Sequence, residues 1–402
     1  MTALYMYDDA KAREFAPFAL TRPVSELRAG AEIIRARWET VAGMRATAFI
    51  GGAHLANFEE AGAPGSMQMG ADLAAGSLVA NSRFVVSLDE SIGNGAAAFN
   101  CDGRICAVRL SRSTSLHELA RGTIDLETLT DGSPATEVRG RWLPEVWNLV
   151  GDLSLQLMDD IGVLGPRIAS ESPGNATVVG NHEVYCESGA HVDPFVVFDT
   201  SDGPVLIRRG TVISAFSRIV GPTYIGENST VIGDAIRACS IGDVCKVRGE
   251  ISGIVMLGHS NKGHTGFVGS SYLGRWVNLG AGTTTSNLKN TYGSVQLWTP
   301  SGLRDTGLQF LGSLLGDHAK TGIGTMLTTG CVVGAGANVF GSGVTPKRIP
   351  PFAWGEREPY SRFDVEKFAE VAARMMARRH VVLGEKGRRQ LVDSHAASEA
   401  SG

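Results

Sequence analysis

The chain has 402 residues, with 37 basic and 41 acidic side chains for a net charge of -4. That length exceeds one ordinary domain, so two domains and a tail are expected. The even charge leaves no polycationic surface, which excludes nucleic acid and anionic membrane as partners.

Six cysteines (Cys101, Cys106, Cys186, Cys239, Cys245 and Cys331) are spaced irregularly, with no Cys-x-x-Cys pair. Neither a zinc site nor a disulfide framework is suggested, no metal ligand set is expected, and reduced thiols in a cytoplasmic protein are the reading. The opening Thr2–Asp9 has no basic flank or apolar core of signal-peptide length, and no later window approaches a membrane span. The 51 glycines are nearly double the usual share without a collagen period. Something in the chain turns every few residues.

In chain order, Leu4–Tyr7, Ala46–Ile50, Phe84–Ser87 and Ile105–Leu110 read as short buried strands. Ser25–Thr40 and Leu116–Leu119 read as helical stretches between them. This alternation predicts an α/β domain over 1–165. Trp142–Ile161 carries apolar residues three and four apart and predicts an amphipathic helix closing that domain. Pro166–Asn175, rich in Ser, Pro and Gly, predicts a linker or a first irregular coil.

From about Ser172 to Gly343 the pattern becomes aliphatic-glycine steps such as Ile225-Gly226, Ile232-Gly233, Ile241-Gly242, Leu273-Gly274 and Val333-Gly334. A six-residue rhythm led by an aliphatic residue predicts a left-handed parallel β-helix of hexapeptide repeats, placed over 166–355 and expected to work as a trimer. A β-sandwich would show longer strands of period two and turns every eight to twelve residues, which are absent. Asn290–Gly312 breaks the rhythm and predicts a loop projecting from one edge. The prolines after Val344 end the ladder. Asp364–Val382 predicts a helix, with Phe368, Val371, Ala372 and Met375 on one face and Arg374, Arg378, Arg379 and Lys386 at or beyond its end. The stretch 356–402 is read as this helix and a disordered tail from Ser394.

The densest polar stretch is His259–Phe267 followed by Val277–Asn290. An imidazole such as His264 suits a general base for an amine nucleophile. Backbone N–H groups of Gly280-Ala281-Gly282 could hold a thioester oxygen as it gains charge. A single histidine is more often packed or solvated than catalytic, and asparagines in equivalent corners, such as Asn278 and Asn287, commonly form structural ladders.

Asn-Lys-Gly-His-Thr-Gly-Phe-Val-Gly from Asn261, and Val-Asn-Leu-Gly-Ala-Gly-Thr-Thr-Thr-Ser-Asn from Val277, resemble the acetyltransferase domain of the bifunctional N-acetylglucosamine-1-phosphate uridyltransferase/glucosamine-1-phosphate acetyltransferase family. The resemblance is closest to a divergent bacterial branch of sugar nucleotidyltransferases. That branch shares the opening Asp8-Asp9, the Leu20–Arg28 element, Ser286–Asn290, Asp305–Phe310 and the Pro350–Gly355 ending. The resemblance implies His264 as catalytic base, with Phe267 in place of a tyrosine that touches the sugar phosphate. It also implies Asn278 near the sugar, Ala281 as a backbone contact to acetyl-CoA, and Asn287 at the acetyl-CoA site. Phe267 lacks the hydroxyl, and the lysine expected after Asn287 has no clear counterpart. Lys262, Lys289, Lys320 and Arg248 are the cations weighed for the sugar phosphate.

The first domain is expected to be nucleotidyltransferase-like, using Mg²⁺ and a nucleoside triphosphate if active. Its first glycine is Gly30, so no Gly-rich phosphate loop opens it, and Arg22 and Arg28 are the cations weighed for phosphate. The leading expectation is acetyl transfer to an amino-sugar phosphate such as glucosamine-1-phosphate, possible together with sugar-1-phosphate nucleotidyl transfer in nucleotide-sugar biosynthesis. The alternatives are a sugar-1-phosphate nucleotidyltransferase using UTP or dTTP with the β-helix as a trimerisation scaffold, and a non-catalytic sugar-nucleotide-binding protein. His259 and His264, five apart, also resemble two zinc ligands of the γ-type carbonic anhydrases. A third histidine is missing between Val192 and Gly258.

Overall fold

The computed structural model describes residues 3–67, 70–93, 95–341 and 343–399. Two compact units result, one of Met1–Val146 with Gly384–Ser401 and one of Trp147–Leu383. Among the described residues, no helix is long and apolar enough to cross a membrane.

The first unit is built on a six-stranded sheet. Its strands are β1 (Leu4–Tyr7), β2 (Ala46–Ile50), β3 (Leu78–Asn81), β4 (Ala98–Cys101), β5 (Arg104–Arg109) and β6 (Thr136–Glu137), in the order β6-β4-β5-β3-β1-β2. The strand β1 is fully buried because it runs parallel to β2 on one side and β3 on the other. The chain leaves β1 for β2, then crosses back to β3, so the connections diverge around β1. In open α/β sheets a ligand crevice forms at the carboxyl ends of the strands where this happens.

The expected helix over Ser25–Thr40 is only half present. A hairpin of Arg28–Ala29 with Glu32–Ile33 precedes helix α2 (Ile34–Ala42), and Gly30 turns it with φ +68. The short helix α1 (Ala10–Arg13) follows β1 directly, because the Asp9 carboxylate caps it through Ala12 N–H at 2.8 Å.

The second unit is a parallel β-solenoid. Among the described residues its three sheets have six, nine and ten strands and begin at Thr177–Gly180, Val184–Cys186 and His191–Val192. The register explains the aliphatic-glycine rhythm. On the nine-stranded sheet Ile207, Ile225, Ile241, Met256, Leu273, Leu315, Val333 and Ile349 stack one above another, all buried. Each buried aliphatic side chain contributes roughly 1.5–3 kcal/mol, and only through the coils above and below it.

Helix α3 (Leu153–Ile168) belongs to this unit rather than closing the first. It packs on Val184–Cys186, Val205–Ile207 and Thr223–Ile225. A side chain at Gly165 would collide with the Tyr185 ring, so glycine lets the helix lie flat there. The stretch Asn290–Gly312 does not simply project. It forms a hairpin of Gln296–Thr299 with Gly302–Asp305, buries Val295 and Leu297, and lays Leu308 against Gly151.

Helix α4 (Val365–Ala377) is capped by the Asp364 carboxylate and buries Phe368, Ala369 and Ala372. Phe368 meets Phe352 and His318 edge-on at 5.0 and 5.8 Å between ring centres. The tail from Ser394, expected to be disordered, is helical as far as Glu399, and residues 400–402 lie outside the described residues. The helical part continues helix α5 (Glu385–Glu399), with Ser394 completely buried in the first unit. The alanine and serine content that suggests disorder supplies small side chains for close packing instead.

Candidate functional sites

In the first unit the charged residues gather at the carboxyl end of β1. Asp8 is buried, and its Oδ2 accepts Val24 N–H at 3.1 Å. Burial pushes its carboxyl up to about 6. Its Oδ1, and Nη2 of Arg13, are both buried with no hydrogen-bond partner among the described residues. Arg13 donates instead through Nε to Asp8 O at 3.1 Å and through Nη1 to Ala120 O at 2.8 Å.

Asp9 is engaged differently. It accepts from Arg83 Nη2 at 2.6 Å and Asn81 Nδ2 at 2.9 Å, and lies 3.7 Å from Arg104 Nη2. Burial pushes this carboxyl up, yet the hydrogen bonds and charge of Arg83 outweigh it and hold it below the usual range. Arg104 in turn lies 3.9 Å over the Trp142 ring. One carboxyl of the pair is therefore neutralised by protein and the other keeps an open oxygen. In the sequence Asp8-Asp9 stands out only as part of a resemblance. The available signal was an acid directly after a buried strand of an α/β sheet.

Arg22 and Arg28, the cations weighed for phosphate, are both buried with protein partners. Arg22 is 2% exposed, paired with Glu60 at 3.1 Å, and Arg28 is 4% exposed with its guanidinium on Ala31 O. Both hold the Leu20–Arg28 element together from inside.

In the solenoid, His264 is exposed, and among the described residues its ring makes no hydrogen bond. It sits on a corner that stacks directly on the Ala281 turn, since Gly282 N–H donates to Thr265 O at 3.1 Å. Gly280 N–H is also occupied, by Thr321 O at 3.1 Å. Of the three expected oxyanion donors, Ala281 N–H is the one without a partner among the described residues.

Phe267 lines an open cleft of about 600 Å³ with Phe216, Arg218, Asp234, Glu250 and Thr265. Arg248, outside that lining, donates through Nε to Asp234 at the cleft's edge at 3.3 Å. Asn287 lies beside Phe267 because both pack over Gly269, and its Nδ2 donates to Ser270 Oγ at 3.3 Å. His264, Phe267, Arg248, Ala281 and Asn287 thus belong to one side of the solenoid. Arg218 and Asp234 were missed, because a solvated ion pair and a cleft residue look alike in sequence.

Five other candidates are placed elsewhere. Lys262 is fully buried, and its ammonium donates to Arg248 O, His264 O and Thr265 O at 3.2, 2.5 and 3.2 Å, which ties it to the His264 corner. Burial lowers its pKa to about 8. Lys289 donates to Ser294 O at 2.7 Å at the root of the inserted hairpin, and Lys320, lowered to about 8 by burial, donates to His318 O at 3.0 Å. Asn278 accepts from Asn261 Nδ2 at 3.0 Å and lines a different cleft, described below. His259 lies against Trp276, ring centres 4.3 Å apart and tilted by 39°, and its Nδ1 is 3.4 Å from Arg275.

The chain thus joins an α/β sheet, with the buried Asp8 at the carboxyl end of β1, to a three-sided parallel solenoid. Comparison with known proteins shows what each part of the chain resembles. Residues 4–166 match the model of the sugar nucleotidyl transferase family. The chain is 27% identical over 234 residues to the bifunctional protein GlmU of Methanococcus vannielii, covering 57% of this chain and 51% of that one. It is 29% identical over 100 residues to the bifunctional sugar-1-phosphate nucleotidylyltransferase/acetyltransferase of Sulfurisphaera tokodaii, covering 25% of each. An Arabidopsis UDP-N-acetylglucosamine acyltransferase structure aligns over 51% of this chain and 74% of its own, with 13% identity and a TM-score of 0.21. Over part of its length the chain is thus similar to a sugar nucleotidyl transferase model and to GlmU-like bifunctional proteins. It spans about half the length, or less, of the curated relatives it matches.

Proposed function

We propose that the chain is a transferase whose solenoid moves an acetyl group from acetyl-CoA to the amine of an amino-sugar phosphate of the glucosamine-1-phosphate type. The observation that carries this reading is the stacking of the exposed His264 corner on the Ala281 turn. Acetyl-CoA supplies the activated acyl group. His264 takes the proton that the attacking amine must lose, and Ala281 N–H faces the oxygen that gains charge. Phe267 and Arg248 offer a ring and a cation to the sugar phosphate, and Asn287 an amide beside them. A homotrimer of left-handed solenoids in the cytoplasm completes the reading, since a neighbouring copy can wall a side that is open in one chain.

A second activity, sugar-1-phosphate nucleotidyl transfer, is favoured by the open Oδ1 of Asp8 and Nη2 of Arg13. An orphaned carboxylate oxygen suits a divalent cation and an orphaned guanidinium suits phosphate. Mg²⁺ at Asp8 would offset charge on the triphosphate, and Arg13 would orient it.

The test is to incubate the protein with glucosamine-1-phosphate and acetyl-CoA while following free CoA thiol. N-acetylglucosamine-1-phosphate with UTP or dTTP is tested separately by following pyrophosphate. His264→Ala is expected to lower CoA release about 10²-fold or more and leave pyrophosphate release intact. Unchanged CoA release in that variant would remove His264 from the chemistry.

A further inference from the structure

The second unit contains a second cleft, of about 400 Å³, between the third sheet of the solenoid and the end of α4. Its polar lining is Lys246, His259, Asn261, Asn278, Arg378, Arg379 and His380, and no carboxylate is among the lining residues. The fold brings these groups together from two sources. Lys246, Asn261 and Asn278 occupy one position in three successive coils. Docking of Phe368 into the aromatic corner carries the end of α4 over that column, and Arg379 Nη1 fixes it by donating to Val244 O at 3.3 Å.

Cations at a helix C-terminus are favoured by the helix dipole, which accounts for part of Arg378 and Arg379. It does not account for Lys246, which comes from the solenoid. Among the described residues, the side chains of Lys246, Arg378 and His380 have no ion pair or hydrogen bond. Arg374, one turn earlier, is paired with Glu370 at 3.6 Å and lies outside the lining. Fixed positive charges converging on one concave space repel one another unless an anion enters.

The size is that of a small-molecule site rather than a surface dimple. The Asn261 amide donates to Asn278 Oδ1, which turns Asn278 Nδ2 free to donate to a ligand oxygen. We infer that this cleft binds the phosphate group of a phosphorylated small molecule, with Lys246 and Arg378 as its cations and the Asn261–Asn278 pair facing the polar remainder. The site is separate from the His264 corner and does not depend on acetyl transfer there.

Inorganic pyrophosphate, titrated into the full chain at low salt by calorimetry, is the first probe. Wild-type protein is expected to bind it. The double variant Lys246→Ala/Arg378→Ala is expected to bind about tenfold more weakly or worse, and Lys246→Arg/Arg378→Lys is expected to retain binding. Both positions are exposed, so circular dichroism is expected to show an intact fold in every variant. Glucosamine-1-phosphate and UTP are then used to displace the pyrophosphate. Displacement by either supports the site and identifies which source supplies the phosphate. No binding by wild-type protein, equal binding by the double alanine variant, or displacement by neither compound would overturn it.

Discussion

Lys262 stands on the inner column of the third sheet in register with Val247, the aliphatic residue that fills this place one coil earlier. A lysine replaces a valine in the stack, and its ammonium reaches the corner to hold three carbonyls, among them His264 O. Burial lowers its pKa to about 8 from 10.5. Between those values the unfolded chain binds the proton that the folded chain has released, so stability rises with pH across this window. We expect Lys262→Met to reduce that rise, leaving the part that Lys320 contributes in the same window, and to stabilise the solenoid at pH 7 by about 1–3 kcal/mol, as apolar replacements of buried charges often do. Urea unfolding at pH 7 and pH 10 checks both points. A variant that instead loses CoA release while gaining stability would show that the corner needs its lysine anchor.

Asp8 gives the opposite pH signature in the first unit. Its carboxyl is raised by burial from 3.8 to about 6. The folded state therefore holds a proton that the unfolded state has lost, and this contribution to stability disappears as pH rises from about 4 to 6. Asp8→Asn removes the titration, so the wild type is expected to lose stability relative to the variant across that interval in thermal melts. If Asp8 holds a divalent cation, Mg²⁺ at pH 7 raises the wild-type melting temperature and leaves Asp8→Asn unmoved.

The solenoid was legible because its rule is local: an inward aliphatic and a corner glycine recur at short spacing, and the register follows. Lys262 broke the rule without notice, since one lysine in a polar stretch looks solvated until its coil is stacked. The first unit was less legible. Arg22 and Arg28 carry the residue type that phosphate sites need, yet their burial depends on contacts such as Glu60, distant in sequence. Asp8 and Arg13 were passed over for the converse reason, because only the crossover from β2 to β3 makes the end of β1 a crevice. The cleft over Asn278 needs α4, and nothing in the spacing of Arg378 and Arg379 points to Lys246.

Gly266 lies between His264 and Phe267 with φ +121, and a Cβ there would lie 2.3 Å from Thr283 O. Strained backbone and collision with the next coil add together. Gly302, at the tip of the inserted hairpin, has φ +106 and nothing near its Cβ position, so only the backbone term applies. Gly302→Ala is expected to cost about 1–2 kcal/mol and Gly266→Ala clearly more, roughly 3 kcal/mol or above. Urea midpoints of the two variants separate the contributions. CoA release is expected to fall only in Gly266→Ala, because the corner it distorts carries His264.

Helix α5 ties the end of the chain to the crevice of the first unit. Gln390 Nε2 donates to Thr21 O at 3.1 Å, Ser394 Oγ donates to Leu20 O at 2.8 Å, and Asn57 donates to Asp393 at 2.8 Å. Thr21 and Leu20 begin the element whose Val24 N–H binds Asp8. The helix thereby braces the loop that keeps Asp8 dry. Truncation before Glu385 removes the buried Leu391 together with these bonds, a loss of roughly 3 kcal/mol or more. It also lets water reach the Leu20–Arg28 element, so the Asp8 carboxyl should fall back toward 3.8, and the loss of stability between pH 4 and 6 should flatten. Leu391→Ala, which keeps the bonds and removes only packing, is expected to lower stability by about 2–3 kcal/mol while preserving that pH dependence. Thermal melts of the three proteins from pH 4 to 7 distinguish a brace on the loop from a helix that merely covers apolar surface.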